Sequence, residues 1–90
     1  MADITTTLIK GVVYLPGAEF LSGSSVDDAD TFKSKKFRLV TGGIATLNTD
    51  ANTTSGIVAL TFSTTDNTVT VNIGGGLTSQ AMSFMLWGKR

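Results

Sequence analysis

Cysteine and histidine are both absent from this 90-residue chain. Without cysteine there is no disulfide framework, and without either residue there is no Cys/His set for a structural zinc. The same absences remove the usual base and thiol of nucleophilic catalysis, so the eight serines lack an imidazole to activate one of them. Lysines exist for a Ser–Lys dyad, but no spacing supports one. Glu19 with an aspartate would make a carboxylate pair for glycoside chemistry, yet a sheet domain of this length offers little cleft to hold a sugar. The chain reads as a protein that is not an enzyme, with no catalytic residues, no metal ligands and no cofactor.

Charge is also scarce. Seven acids balance seven bases, so no long-range attraction to nucleic acid or to an anionic membrane is expected. Proline occurs once, at Pro16. Apolar runs such as Met85-Leu86-Trp87 fall far short of the about 20 residues of a membrane-spanning helix. The start MADITTTLIK lacks the basic residues and the apolar stretch of about 7–15 residues that mark a signal peptide. These absences predict a soluble protein made in the cytoplasm without cleavage.

What the chain has instead is threonine, fifteen residues of 90, together with eight serines and ten glycines. A β-branched hydroxyl residue suits a pleated, half-exposed surface, and glycine supplies turns and bulges. Valine, isoleucine, leucine and phenylalanine recur at period two, which is strand rather than helix spacing. The length holds one domain, residues 1–90, with a core large enough for a marginal fold and little more. The fold class expected is all-β, a small antiparallel sandwich or barrel-like domain of about six strands. Small domains without covalent staples often gain stability by association.

Along the chain, residues 4–15 read as a first strand, with Ile4, Thr6 and Leu8 on one face and a bulge at Gly11. Pro16-Gly17 closes it. Residues 18–36 alternate poorly and contain SGSSVDDAD, which is loop chemistry; a loop of that length tends to be functional or to order against a partner. Phe37-Arg38-Leu39-Val40-Thr41 resumes a strand, Gly42-Gly43 marks a turn or bend, and Ile44 to Leu47 continues. Asn48 to Ser55 is a polar loop. Residues 57–63 and 68–73 form a hairpin across Thr64-Thr65-Asp66-Asn67, since Asp and Asn bond their own backbone and tolerate left-handed conformations. Gly74-Gly75-Gly76 is a flexible hinge without the spacing of a phosphate cradle. The last strand, at about 81–88, carries Met82, Phe84 and Leu86 on one face and Met85 and Trp87 on the other. A strand apolar on both faces is buried on both, and in so small a domain a neighbouring subunit is expected to supply part of that cover.

Half of all formal charge sits in the twelve residues DDADTFKSKKFR, 27–38. Asp27, Asp28 and Asp30 have the look of a cation site, but the spacing and terminal glutamate of a calcium loop are missing and lysines follow at once. Lys33, Lys35, Lys36 and Arg38 resemble a phosphate grip, but the aromatic platforms of a nucleic-acid groove are sparse. The reading adopted is a polar connection whose acid and base blocks pair locally or fix the register of a neighbouring subunit. The candidate interface set therefore comprises this cluster and the apolar residues of the last strand.

The Thr/Gly/Ser-rich β-chain, its MADITTT start and its strand ending LWGKR resemble small virion proteins of tailed bacteriophages, such as capsid decoration or cement proteins and minor head or tail proteins. That resemblance covers the whole chain in texture and matches no diagnostic motif, so it transfers no binding residue. It implies a β domain that docks in many copies on a capsid lattice and reinforces it without catalysis, its partners being copies of itself and a major capsid or other virion protein, its location the virion. The alternative is a receptor- or glycan-binding β module of a fibre or attachment structure.

Overall fold

A computed structural model describes residues 2–10, 17–48, 58–76 and 78–90. Parts of the expected first strand (11–15), of the polar loop (49–55) and of the first hairpin strand (Ile57) lie outside these residues. Seven strands are seen among the described residues: β1 Ile9–Lys10, β2 Glu19–Val26, β3 Thr31–Lys33, β4 Leu39–Leu47, β5 Val58–Phe62, β6 Thr68–Ile73 and β7 Gln80–Lys89. They form two antiparallel sheets, one ordered β1-β2-β7-β4 and one ordered β3-β6-β5.

Strand alternation builds the core between the sheets. Leu21 and Val26 of β2, Val40 of β4, and Met82, Phe84 and Leu86 of β7 point inward from the larger sheet; Phe32, Val69, Val71 and Ile73 point inward from the smaller one. Phe32 and Phe84 meet across the layer with ring centroids 5.1 Å apart and planes tilted by 56°, a favoured geometry for an aromatic pair. The β5–β6 hairpin is the one expected: Ser63 N–H donates to the Thr68 carbonyl at 3.0 Å, closing a loop of residues 64–67.

Four expectations need correction. The stretch 4–8 is not a strand but a single turn, in which Leu8 N–H donates to the Ile4 carbonyl at 3.2 Å. Asp3 accepts the Thr5 N–H at 2.9 Å and opens that turn, so Ile4 and Leu8, four residues apart, enter the core together. Residues 18–36 are not one loop, for they hold β2 and β3. The inward positions at the start of β2 are Glu19, Leu21 and Gly23, so two of three break the apolar pattern that marks a strand. Gly42-Gly43 is not a turn but lies inside β4, where a Cβ on Gly42 would fall 2.3 Å from the Trp87 indole Nε1. Those glycines serve close approach, just after a bulge between Val40 and Gly42. Finally, Gly74–Gly76 forms a folded 3-10 turn rather than a hinge, with Gly75 at φ 80° and Gly76 at φ 64°.

Candidate functional site

The charge cluster is the first candidate, and its acids act inside the fold. Asp28 Oδ1 accepts the Ile73 N–H at 2.7 Å. Asp27 Oδ1 accepts the Ser79 N–H at 2.7 Å. Asp30, buried, takes the Ala2 N–H at 3.2 Å on one oxygen and the Asp27 N–H at 2.9 Å on the other. The three carboxylates thus fasten the β2–β3 corner to the N-terminus, the end of β6 and the approach to β7. Ala29 at the tip is held at φ 70°, a left-handed conformation that disfavours any side chain. Among the described residues no group of three or more acids, histidines or cysteines is placed to hold a metal ion.

The basic half is dispersed. Lys33, Lys35 and Arg38 are exposed. Lys36 turns back, its Nζ donating to the Ala18 carbonyl at 2.7 Å and standing 5.9 Å from the centre of the Phe37 ring. Beside it lies a buried polar knot. Glu19, fully buried in β2, accepts the Ser34 hydroxyl at 2.7 Å and the Lys35 N–H at 3.0 Å. The Ser34 hydroxyl in turn accepts the Lys36 and Phe37 N–H groups at 3.1 and 2.9 Å. Among the described residues the donors to this carboxyl belong to the β3–β4 link, so Glu19 clamps that link to β2.

The second candidate is a surface. The described residues have four exposed large apolar side chains: Ile9 at 69%, Ile44 at 54%, Trp87 at 40% and Phe20 at 38%. Pairing register puts all four on the outer face of the four-stranded sheet. Phe20, Met85 and Ile44 form one cross-strand row, and Ser22, Ser83 and Thr46 form the next, with Ile9 beside Ser22. Trp87 lies opposite Gly42, its indole occupying the space a side chain at that position would need. Between Phe20 and Ile44 the face sinks into a depression of about 350 Å³, lined also by Ser22, Thr46, Ser83 and Met85. Asn48 Nδ2 donates to the Ser83 hydroxyl at 2.9 Å at one margin. Among the described residues of this face, formal charge enters only at Lys89, at the far end of β7, where it pairs with Leu39.

The sequence-derived interface set therefore divides. Met85 and Trp87 lie on this outer face, half-buried and exposed respectively. Met82, Phe84 and Leu86 are in the chain's own core, each at most 3% exposed, and have no surface to offer a partner. Asp27, Asp28 and Asp30 are engaged with backbone amides. Ile9, Phe20 and Ile44 are absent from the sequence-derived set, and Glu19 enters there only as half of a carboxylate pair, not as a buried clamp. Phe20 and Glu19 sat in a stretch taken for loop, and Ile44 followed glycines taken for a turn. The signal that finds them is register: once Phe20, Met85 and Ile44 are cross-strand neighbours, their shared face is plain.

Comparison of the chain with protein-family models, with curated proteins and with solved structures finds no match to any of them.

Proposed function

We propose that this chain is a non-enzymatic structural protein of a phage particle, a capsid decoration or cement protein that strengthens a lattice through subunit contacts. One observation carries the reading: the exposed large apolar side chains of the described residues gather on a single sheet face. An apolar patch of that kind on a small domain is the usual mark of a surface that other molecules cover. The absence of histidine and cysteine, and the engagement of Glu19, Asp27, Asp28 and Asp30 with structural donors, support a role without catalysis. Binding to the native state adds to apparent stability, which suits a domain of this size. The glycan-binding alternative draws less support, because sugars need polar partners beside a stacking ring. The outward neighbours of Trp87 are Met85 and Lys89 along β7 and Gly42 across it, so a single ammonium is the polar group beside the ring.

The test is composition. Virions purified on a density gradient from a culture expressing the chain should contain it in many copies per capsid, measured by quantitative peptide mass spectrometry. Recovery of the chain only from the particle-free fraction, as a monomer, sinks the proposal.

A further inference from the structure

From the free edge of β4 we infer that this chain binds an extended segment of another polypeptide, added as a strand beside β4 in the larger sheet. The inference rests on the reading of the chain as a protein that docks on others, and it names the contact.

Hydrogen bonding singles out the site. In an antiparallel pair every second residue turns its N–H and C=O to the partner strand, and the residues between turn theirs away. The Asn48 N–H donates to the Ala81 carbonyl at 2.8 Å, and with the register of β4 on β7 this sets the backbone groups of Ile44 and Thr46 toward β7. Those of Gly43, Ala45 and Leu47 therefore point the other way, and no hydrogen bond reaches them from the backbone of any described residue. Two of the other edges are guarded. The N-terminal segment seals β3: Thr31 N–H donates to the Ala2 carbonyl at 2.8 Å, Ile4 N–H to the Thr31 carbonyl at 2.8 Å, and Lys33 N–H to Thr5 Oγ1 at 3.0 Å. β1 is two residues long and carries Lys10; short strands and lysines are the usual protection of an edge. β5 is five residues long. β4 has nine, LVTGGIATL, without charge or proline. Its bulge lies between Val40 and Gly42, clear of the regular stretch 43–47. Such a run of unpaired N–H and C=O groups is a template that another extended backbone matches.

The surroundings set the chemistry of the occupant. On the outer face its side chains meet Ile44 and Thr46 and extend the row of Phe20, Met85 and Ile44. On the inner face they meet the half-buried Leu47 of β4 and Leu60 of β5. Leu60 reaches toward Gly43, yet β4 and β5 belong to different sheets. The seam between them opens into a groove of about 310 Å³ whose lining includes Val40, Thr41, Phe62 and Ser63. The occupant is thus uncharged, apolar on both sides, and free of proline where its N–H groups face β4. To match the stretch 43–47 it must stay extended over about 16 Å.

Amide exchange followed by NMR tests this. In the free chain the Ile44 and Thr46 N–H groups should be protected, and those of Ala45 and Leu47 should exchange fast. The probe is a synthetic peptide of alternating valine and threonine with a lysine at each end. At about ten times its Kd it should slow exchange at Ala45 and Leu47 about 10-fold. Ala45→Pro removes an N–H that faces away from β7, a change that an edge strand tolerates. It should keep the protection of Ile44 and Thr46 and abolish the peptide's effect at Leu47. Should that variant fail to fold, Thr46→Lys, at an exposed position, should weaken peptide binding about 10-fold by setting a charge at the edge. A peptide that leaves Ala45 and Leu47 exchanging fast overturns the inference, as does protection that appears at Leu60 and Phe62 of β5 instead. Protection already present in the free chain overturns it too. If that protection grows with protein concentration the occupant is a second copy; if it does not, the chain covers its own edge. Failure here with the chain still recovered in virions leaves the structural role standing. Success with no chain in virions keeps the contact and removes the phage role.

Discussion

The two sheets share a core but turn different outer faces to their surroundings. The three-stranded sheet shows Thr31, Thr70 and Thr61 in one cross-strand row, Lys33 and Thr68 in a second, and Asn72 with Ala59 in a third. Hydroxyls and amides there satisfy one another, as where Asn72 Nδ2 donates to Thr61 Oγ1 at 2.8 Å. The four-stranded sheet shows Phe20, Ile44, Met85 and Trp87 instead. Both faces obey the same alternation, so neither is forced by the fold. Exposing apolar area costs about 25 cal/mol for each Å², and threonine would form the larger sheet equally well. The chain uses threonine on one outer face and large apolar groups on the other, and the function proposed above assigns the second face to a contact.

Removing what the faces have in common gives the largest expected effect. Phe84 packs on Phe32 across the layer, and Phe84→Ala should lower stability by about 3–5 kcal/mol, a large share of the roughly 5–15 kcal/mol of a small domain. Both sheets should melt together in the denaturant titration, because one core serves them. Two separate transitions would mean that the sheets are independent units and that comparing them as faces of one body is mistaken.

Smaller but still severe is the loss of the Glu19 clamp. Glu19→Ala leaves the Ser34 hydroxyl and the Lys35 N–H without their acceptor in a buried place, which costs about 1–3 kcal/mol. Thermal unfolding measures it, and the β3–β4 link should lose amide protection first. A smaller effect again separates the faces directly. Ile44→Thr keeps the β-branch and copies the polar sheet's chemistry; it should change monomer stability by no more than about 0.5 kcal/mol while weakening attachment to the capsid. A large loss of monomer stability would show that Ile44 is core, not surface.

How much of this was legible in the sequence depends on how far away the deciding partner lies. The β5–β6 hairpin and the last strand were legible because their evidence is local: period-two apolar residues, with Asp66 and Asn67 between the first pair. β2 was not, because an inward Glu19 looks like a loop residue until Ser34 and Lys35 arrive to satisfy it. Gly42 and Gly43 were ambiguous for a similar reason, since a glycine that admits Trp87 reads the same as a glycine that turns the chain. At the N-terminus, Ile4 and Leu8 fit both a strand face and a helical step of four. Asp3, as a cap for the turn, decides between them. The acid cluster was visible as composition, but its role needed the amides of Ile73 and Ser79, some 45 and 52 residues away in the chain. The apolar face itself needed register, which no single strand contains.

The smallest expected effect is acid loosening confined to the three-stranded sheet's side of the molecule. Asp66 closes the β5–β6 hairpin; the Thr68 N–H, donating at 2.9 Å, is the first cause that holds its carboxyl below the ordinary value of 3.8, followed by the Thr68 and Ser63 hydroxyls. Asp3, which bridges to Thr31 of β3, is lowered first by the Thr5 hydroxyl and then by the Thr5 N–H. A carboxyl with a depressed folded-state pKa contributes its stability fully above the unfolded value and loses it as pH falls through the folded one. The window therefore opens near 3.8 and extends downward. Both groups are exposed, so solvent screens them and the global fold should survive. Amide exchange followed by NMR should show Thr68 and Thr5 losing protection in that window while Phe84 and Met85 keep theirs, and Asp66→Asn should flatten the response at Thr68. Equal loss in both sheets at the same pH would erase the distinction between a sheet whose flanking turns are tied by exposed carboxylates and one whose central strand, β7, is fixed by its buried core residues.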